Sequence, residues 1–306
     1  MATSGSINYS TSTAEIITEA LELLGVLAEG QSYNSDQYTS CARTLNMMVK
    51  MWQADGLNLF AVQRAYLFLT KNQQQYTLSG TTTDNFTTNA SVSLTTSTSY
   101  SSGATSIVLS SNFPYTVGAY IGIATSGTTM FWTTVNSVAG ATVGLVGALP
   151  SNVSSGAVVY AYQTKANRPM RVLEAYLQKQ QNISIPIEML SRIDYWELSR
   201  KDSSGTSIQM YFDPQIDPNA NVRIWPTTAS EQDYIIMFLQ RTLSDFDSST
   251  DSPDYPQEWY MPLAYNLAVT LAPKYGIPAM DYQRLMIQAK EYYEMARGFD
   301  VEQDVS

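Results

Sequence analysis

The chain has 306 residues, with 27 Asp+Glu against 17 Lys+Arg, a formal charge of −10 and a sequence pI near 4.5. Histidine is absent and Cys41 is the single cysteine. This excludes Ser-His-Asp and Cys-His catalysis, imidazole metal sites, an intrachain disulfide and a Cys-X-X-Cys pair. The acidic balance argues against a protein that grips nucleic acid by neutralising phosphates.

A hydrophobic content of 44% supports packed cores, and the length suggests about two domains. Residues 1–12 carry no basic region followed by an apolar stretch, so synthesis and folding in a cytoplasm are expected. Ser12 and Glu15 stand at capping-box spacing before Ile16, Ile17, Ala20, Leu21 and Leu24, which share one helical face, and Gly25 supplies a left-handed stop. A second helix is predicted from a cap at Asn34 or Ser35 to the Asp55-Gly56 stop. Its face carries Tyr38, Cys41, Ala42, Leu45, Met48, Val49 and Trp52. The two helices are expected to pack as a hairpin. Residues 60–69 and 75–78 then read as strands.

Residues 85–164 contain no Asp, Glu, Lys or Arg, and this abrupt change marks a domain boundary. Ser, Thr, Gly and Asn interrupt every apolar run before it reaches the roughly 20 residues of a membrane span. Six short strands are predicted instead, at 91–95, 106–110, 120–124, 130–138, 142–146 and 158–162, with Gly140, Gly144 and Gly147 as turns. Such a pattern suggests a small all-β barrel or sandwich. The expected fold is therefore α+β, an antiparallel helical bundle with a small β region over residues 1–80 and 165–306, with an inserted all-β domain over 81–164.

Past Arg168, residues 171–177 look extended, 187–200 helical or irregular, 208–212 pair with 221–225, and 234–241 form another strand. The loop at 245–258 holds five acidic side chains, no basic ones and two prolines. The last helices are predicted at 259–275 and 281–297, stopped by Gly276 and Gly298, with Pro262 and Pro273 bending or shortening the first.

Candidate chemistry is sparse. Asp217, Asn219 and Asn221 alternate like the start of a calcium loop, but glycine is missing at the sixth position and Thr228 stands where a bidentate Glu is needed, so a turn is the better reading. Glu188, Asp194 and Glu197 offer carboxylates for a glycosidase pair, without any motif around them, and a solvated structural role is favoured. No catalytic residue, metal site or cofactor is predicted, and the chain is expected not to be an enzyme. The 21 tyrosines and 13 methionines instead suit contact surfaces.

Four segments occur in one order: 17–26 (ITEALELLGV), 41–57 (CARTLNMMVKMWQADGL), 211–225 followed by Pro226, and 254–276 (DYPQEWYMPLAYNLAVTLAPKYG). Over residues 13–80 and 166–299 the chain thereby resembles the head-to-tail adaptor (connector) proteins of short-tailed bacteriophages, also described as packaged-DNA stabilisation or tail-tubular-type gatekeeper proteins. The uncharged zone departs from the short members of that family and looks like an insertion.

The resemblance implies a structural virion protein, made in the host cytoplasm and assembled at the neck as a dodecameric ring between portal and tail. Its partners would be copies of itself, the portal, a tail nozzle or tail-tube protein, and tail fibres. Genomic DNA would pass through the channel without specific binding, be retained after packaging, and leave at ejection; no membrane partner is implied. Subunit-interface candidates are Tyr38, Leu45, Trp52, Tyr282, Met286 and Tyr293, and Phe299, Val301 and Val305, alternating with acidic residues, are candidates for docking on the portal. The alternative is a glycan- or receptor-binding virion or cell-surface protein that uses the β-domain.

Overall fold

The computed structural model describes residues 5–56, 59–81, 83–125, 129–216 and 218–300. Helices α1 (Thr13–Leu23) and α2 (Ser35–Asp55) are followed by β1 (Val62–Phe68), β2 (Gln75–Leu78), β3 (Phe86–Thr87), β4 (Ala90–Thr95), β5 (Ser106–Val108) and β6 (Tyr120–Ala124). Next come β7 (Met130–Ala139), β8 (Thr142–Leu145), β9 (Val158–Tyr162), β10 (Arg171–Lys179), β11 (Ile183–Met189) and a short helix, α3 (Arg192–Glu197). Strands β12 (Ser204–Gly205), β13 (Gln209–Asp213), β14 (Ala220–Trp225), β15 (Thr227–Thr228) and β16 (Tyr234–Gln240) precede α4 (Tyr260–Tyr275) and α5 (Ala279–Phe299). The fold is mixed α+β, with strands in the majority. It divides into two compact units, Met1–Ala61 with Thr242–Ser306, and Val62–Arg241. The boundaries expected at 80 and 165 fall inside the second unit.

In the first unit the local signals act as the sequence predicts. Ser12 Oγ accepts from the Glu15 backbone N–H while Glu15 Oε2 accepts from the Ser12 N–H at 2.8 Å, so two otherwise unpaired donors of α1 are satisfied. Asn34 and Gln37 do the same for α2. Gly25, at φ 67°, closes α1 with Gly25 N–H on Glu22 O and Val26 N–H on Leu21 O, the paired bonds of a left-handed cap.

Helix α4 is the centre of this unit. Helices α1 and α2 meet one another directly, and α4 packs on both of them and on α5. The reason is the width of the apolar surface of α4: Leu263, Leu267 and Leu271 with Ala264, Ala268 and Ala272 are all buried and need partners on several sides. Ile17 and Leu21 from α1 and Leu45 and Val49 from α2 fill that core. Pro262 lies in the first turn, where its missing N–H costs nothing, and the helix continues past Pro273 to Gly276 at φ 66°. Gly298 does not stop α5, which runs on to Phe299 and is capped by the Asp300 N–H on Ala296 O and Arg297 O.

The second unit holds two sheets. The first has eight strands in the order β2-β14-β13-β11-β10-β16-β1-β3, antiparallel except for β11 and β13. Tyr76 and Leu78 from one edge and Phe86 from the other share one buried cluster with Leu67, Leu177, Met237 and Ile224, so the sheet curls around its own core. Asp84 accepts from Thr77 N–H and from Gln73 Nε2. Residues 187–200, read as helical or irregular, contain the end of β11 and only the six residues of α3.

All six strands predicted in the uncharged zone are present, in the order β4-β9-β6-β7-β8-β5. A Thr96–Leu109 bridge, with Ser110 N–H on Thr95 O and Ser97 N–H on Val108 O, joins the two edge strands, so this sheet is a nearly closed barrel. Gly140 turns β7 into β8 at φ 62°, but Gly144 lies within β8 rather than in a turn. Phe68 and Tyr66 from β1 pack with Tyr160 and Tyr162 from β9, Met130 and Ala124, which joins the two sheets in one cluster. That shared core makes Val62–Arg241 one compact unit.

Candidate functional site

Helix α2 buries Cys41, Leu45 and Val49, which leaves Met47 and Met51, one turn apart, exposed beside that face. Helix α5 buries Leu285, Ala289 and Ala296 and leaves Met286, Ile287 and Met295 exposed. Where the two helices flank α4, a groove of about 470 Å³ opens, walled by Met51, Trp52, Val269, Met286, Ala289 and Tyr293, with Asp55, Asn266 and Lys290 as its polar groups.

The walls of the groove are fixed. The Trp52 ring lies 4.9 Å from that of Tyr293 and 5.9 Å from that of Trp259, and Asn266 Nδ2 donates to Pro262 O and Ala289 O, tying α4 to α5. Burial pushes the Tyr293 phenol above its ordinary value, with Arg297 opposing and Asp55 adding to the shift, so the ring is neutral at physiological pH. Lys290 pairs with Glu294 at 3.7 Å along the helix. The groove is built to take apolar side chains: methionine adapts to shape, and each such side chain removed from water contributes about 1.5–3 kcal/mol.

Three of the six predicted interface residues, Trp52, Met286 and Tyr293, therefore converge on one groove. Tyr282 lines a separate apolar depression with Ala272, Pro273, Gly276, Ile277 and Ala279. Tyr38 stacks on Tyr33 at 5.6 Å, and its buried hydroxyl has no hydrogen-bond partner among the described residues. Leu45 is fully buried in this chain's own core and offers no surface to a neighbour, which corrects its assignment as an interface residue. Phe299 is 74% exposed at the end of α5. Val301 and Val305 lie outside the described residues.

Two of the three carboxylates weighed for hydrolysis, Glu188 and Asp194, have structural partners. Glu188 accepts from Gln209 Nε2 at 2.7 Å, and Asp194 completes the capping box of α3 with Ser191. Of the calcium-like run, Asn221 sits in β14, where its Oδ1 accepts from Thr77 Oγ1, Thr228 donates to Ser230 O, and Asp217 lies outside the described residues. Among the described residues, no group of three or more Cys, Asp or Glu is placed to hold a metal ion, and no helix is long and apolar enough to cross a membrane.

Sequence reasoning missed Met47 and Met51, although their spacing of four, off the buried face of α2, was visible. It also missed a second groove, beside Tyr9 and Tyr260, that depends on how the segment before α1 lies against α4.

In comparisons with known proteins, no family profile and no curated sequence matches the chain. Among solved structures, the crystal structure of the Pseudomonas phage phi297 tailspike gp61 is similar over 24% of this chain and 14% of that chain, at 17% identity and a TM-score of 0.22. A likeness that slight bears on neither fold nor role.

Proposed function

We propose that the protein is a non-catalytic virion subunit, a head-to-tail adaptor that assembles as a ring between portal and tail of a short-tailed bacteriophage. The observation that carries this reading is the convergence of Met51, Trp52, Met286 and Tyr293 on an apolar groove, on two helices that also expose Met47 and Ile287. A chain that works alone gains nothing from so many exposed methionines, whereas a subunit that repeats around an axis must present an apolar surface to its neighbour.

In this reading the four long helices are the adaptor's helical bundle, the eight-stranded sheet its β region and the six-stranded barrel an insertion on the outer surface of the ring. The exposed Phe299 supports a portal-docking role for the segment that follows α5. Acidic charge suits a channel wall, because a wall that bound phosphates would hold the genome back during ejection. Electron microscopy of the chain mixed with its portal tests the reading: a ring seated on the portal supports it, and a chain that stays monomeric beside the portal refutes it.

A further inference from the structure

We propose that the groove between residues 5–12, α1 and the start of α4 docks a basic, amphipathic segment of another protein. The net charge is not spread over the chain. Residues 1–61 and 242–306 hold 17 Asp+Glu against 6 Lys+Arg, a net −11, while residues 62–241 hold 10 against 11. Helix α1 carries Glu15, Glu19 and Glu22 and no Lys or Arg, and the spacing of four and three sets these carboxylates in one stripe. The one basic residue of α4, Lys274, stands in its last turn, where it donates to the Ser40 and Thr44 hydroxyls, far along the helix from the groove.

The groove has apolar walls and an acidic side. Tyr9, Ile16, Tyr260 and Met261 line it together with Glu15 and Glu19, and no Lys or Arg is among its lining residues. Tyr9, 70% exposed, leans over Tyr260 with ring centroids 6.1 Å apart, and Gln257 Nε2 holds the segment by donating to Ile7 O at 3.1 Å. Ile7 and Met261 are exposed as well. The capping hydrogen bonds, that from the Ser12 N–H foremost, hold the Glu15 carboxyl below its ordinary range, so it is charged at neutral pH.

The volume, about 240 Å³, is below the roughly 300–1,000 Å³ of small-molecule pockets and suits the anchoring side chains of a peptide. Apolar anchors in the groove with Lys or Arg along the Glu15–Glu19–Glu22 stripe is the helix-in-groove mode with charge complementarity. This site is formed within one chain and stands apart from the α2–α5 groove, so it is tested on the free protein, independently of ring assembly.

The probe is a fluorescent amphipathic Leu/Lys peptide, compared by anisotropy with a Leu/Glu peptide of the same apolar pattern and with oligolysine of the same charge. We expect the Leu/Lys peptide to bind, to weaken about tenfold between low and high salt, and to be lost by about tenfold in the double variant Glu19→Lys/Glu22→Lys and in Met261→Asp. Met286→Asp, in the other groove, should bind as the parent does. Met261→Gln repeats the test if circular dichroism shows Met261→Asp to be unfolded. Equal binding of oligolysine or of the Leu/Glu peptide, or unchanged binding by the groove variants, overturns the proposal. So does sedimentation showing that the free chain self-associates through Met261, because the occupant is then a second copy.

Discussion

Phe68 on β1 stacks against Tyr160 on β9 with ring centroids 5.0 Å apart and 27° between the planes, and the Tyr160 hydroxyl donates to Gln232 O at 2.6 Å. One contact thereby joins the eight-stranded sheet to the barrel. Phe68→Ala should cost about 3–5 kcal/mol in urea unfolding, because the ring is buried by both sheets. Tyr160→Phe should cost about 1 kcal/mol by losing one hydrogen bond. A chain in which a short linker joins Gly80 to Lys165 uncovers Phe68, Tyr66 and Tyr234 together, and it should melt earlier and aggregate; an unchanged melting temperature would show that the sheets are independent.

Gly122 on β6 faces Trp132 on β7 across the ladder, and a Cβ there would stand 2.7 Å from the indole ring. Gly122→Ala should destabilise by about 1–3 kcal/mol through overpacking, read as a lower denaturation midpoint with an unchanged urea slope.

The α1 cap makes a pH-dependent contribution. Glu15 has its pKa lowered from an ordinary 4.5, so the stability it supplies is present above that value and is lost as pH falls through its lower folded value. Ser12→Ala should cost about 1 kcal/mol at pH 7, and the difference from the parent should shrink in guanidinium unfolding at acidic pH.

Asp233 works in the opposite sense. Burial raises its carboxyl above an ordinary 3.8, against the opposing attraction of Lys179, so the folded state holds this proton more tightly than the unfolded chain does. Stability therefore falls as pH rises from 3.8 through the folded value, and the deficit persists at neutral pH. Asp233→Asn should raise the melting temperature at pH 7, with the gain vanishing below the unfolded value.

Elements whose signals are local were legible. Ser12 with Glu15 fixes the start of α1 within four residues of chain, the α2 start was legible to within one residue at Asn34 or Ser35, and the six barrel strands are set off by Gly, Asn, Ser and Pro. Strand β11 was missed although Ile183, Ile185, Ile187 and Met189 alternate, because Pro186 argues against a strand interior; in the sheet Pro186 is accommodated opposite Tyr176. Gly298 misled because glycine stops a helix only where the chain turns left-handed, and here Asp300 caps instead. The aromatic cluster was hidden for a different reason: Phe68, Tyr160 and Tyr234 are far apart in sequence, and only the pairing of the sheets brings them together. Half of the interface candidates met in one groove because helical spacing identifies a face; Leu45 failed because spacing alone does not say which apolar residues are inside.

Whether the α2–α5 groove builds a ring is decided by native mass spectrometry of the parent and of Met286→Asp, each with and without the portal. Met286 is exposed, so the substitution should leave the monomer folded. At −10 per chain, self-repulsion opposes a closed ring, so we expect monomer alone at low salt, a ring on the portal, easier self-association as salt rises, and no ring for Met286→Asp. A parent chain that never forms a ring on the portal, or a Met286→Asp ring as stable as the parent's, would contradict that role for the groove.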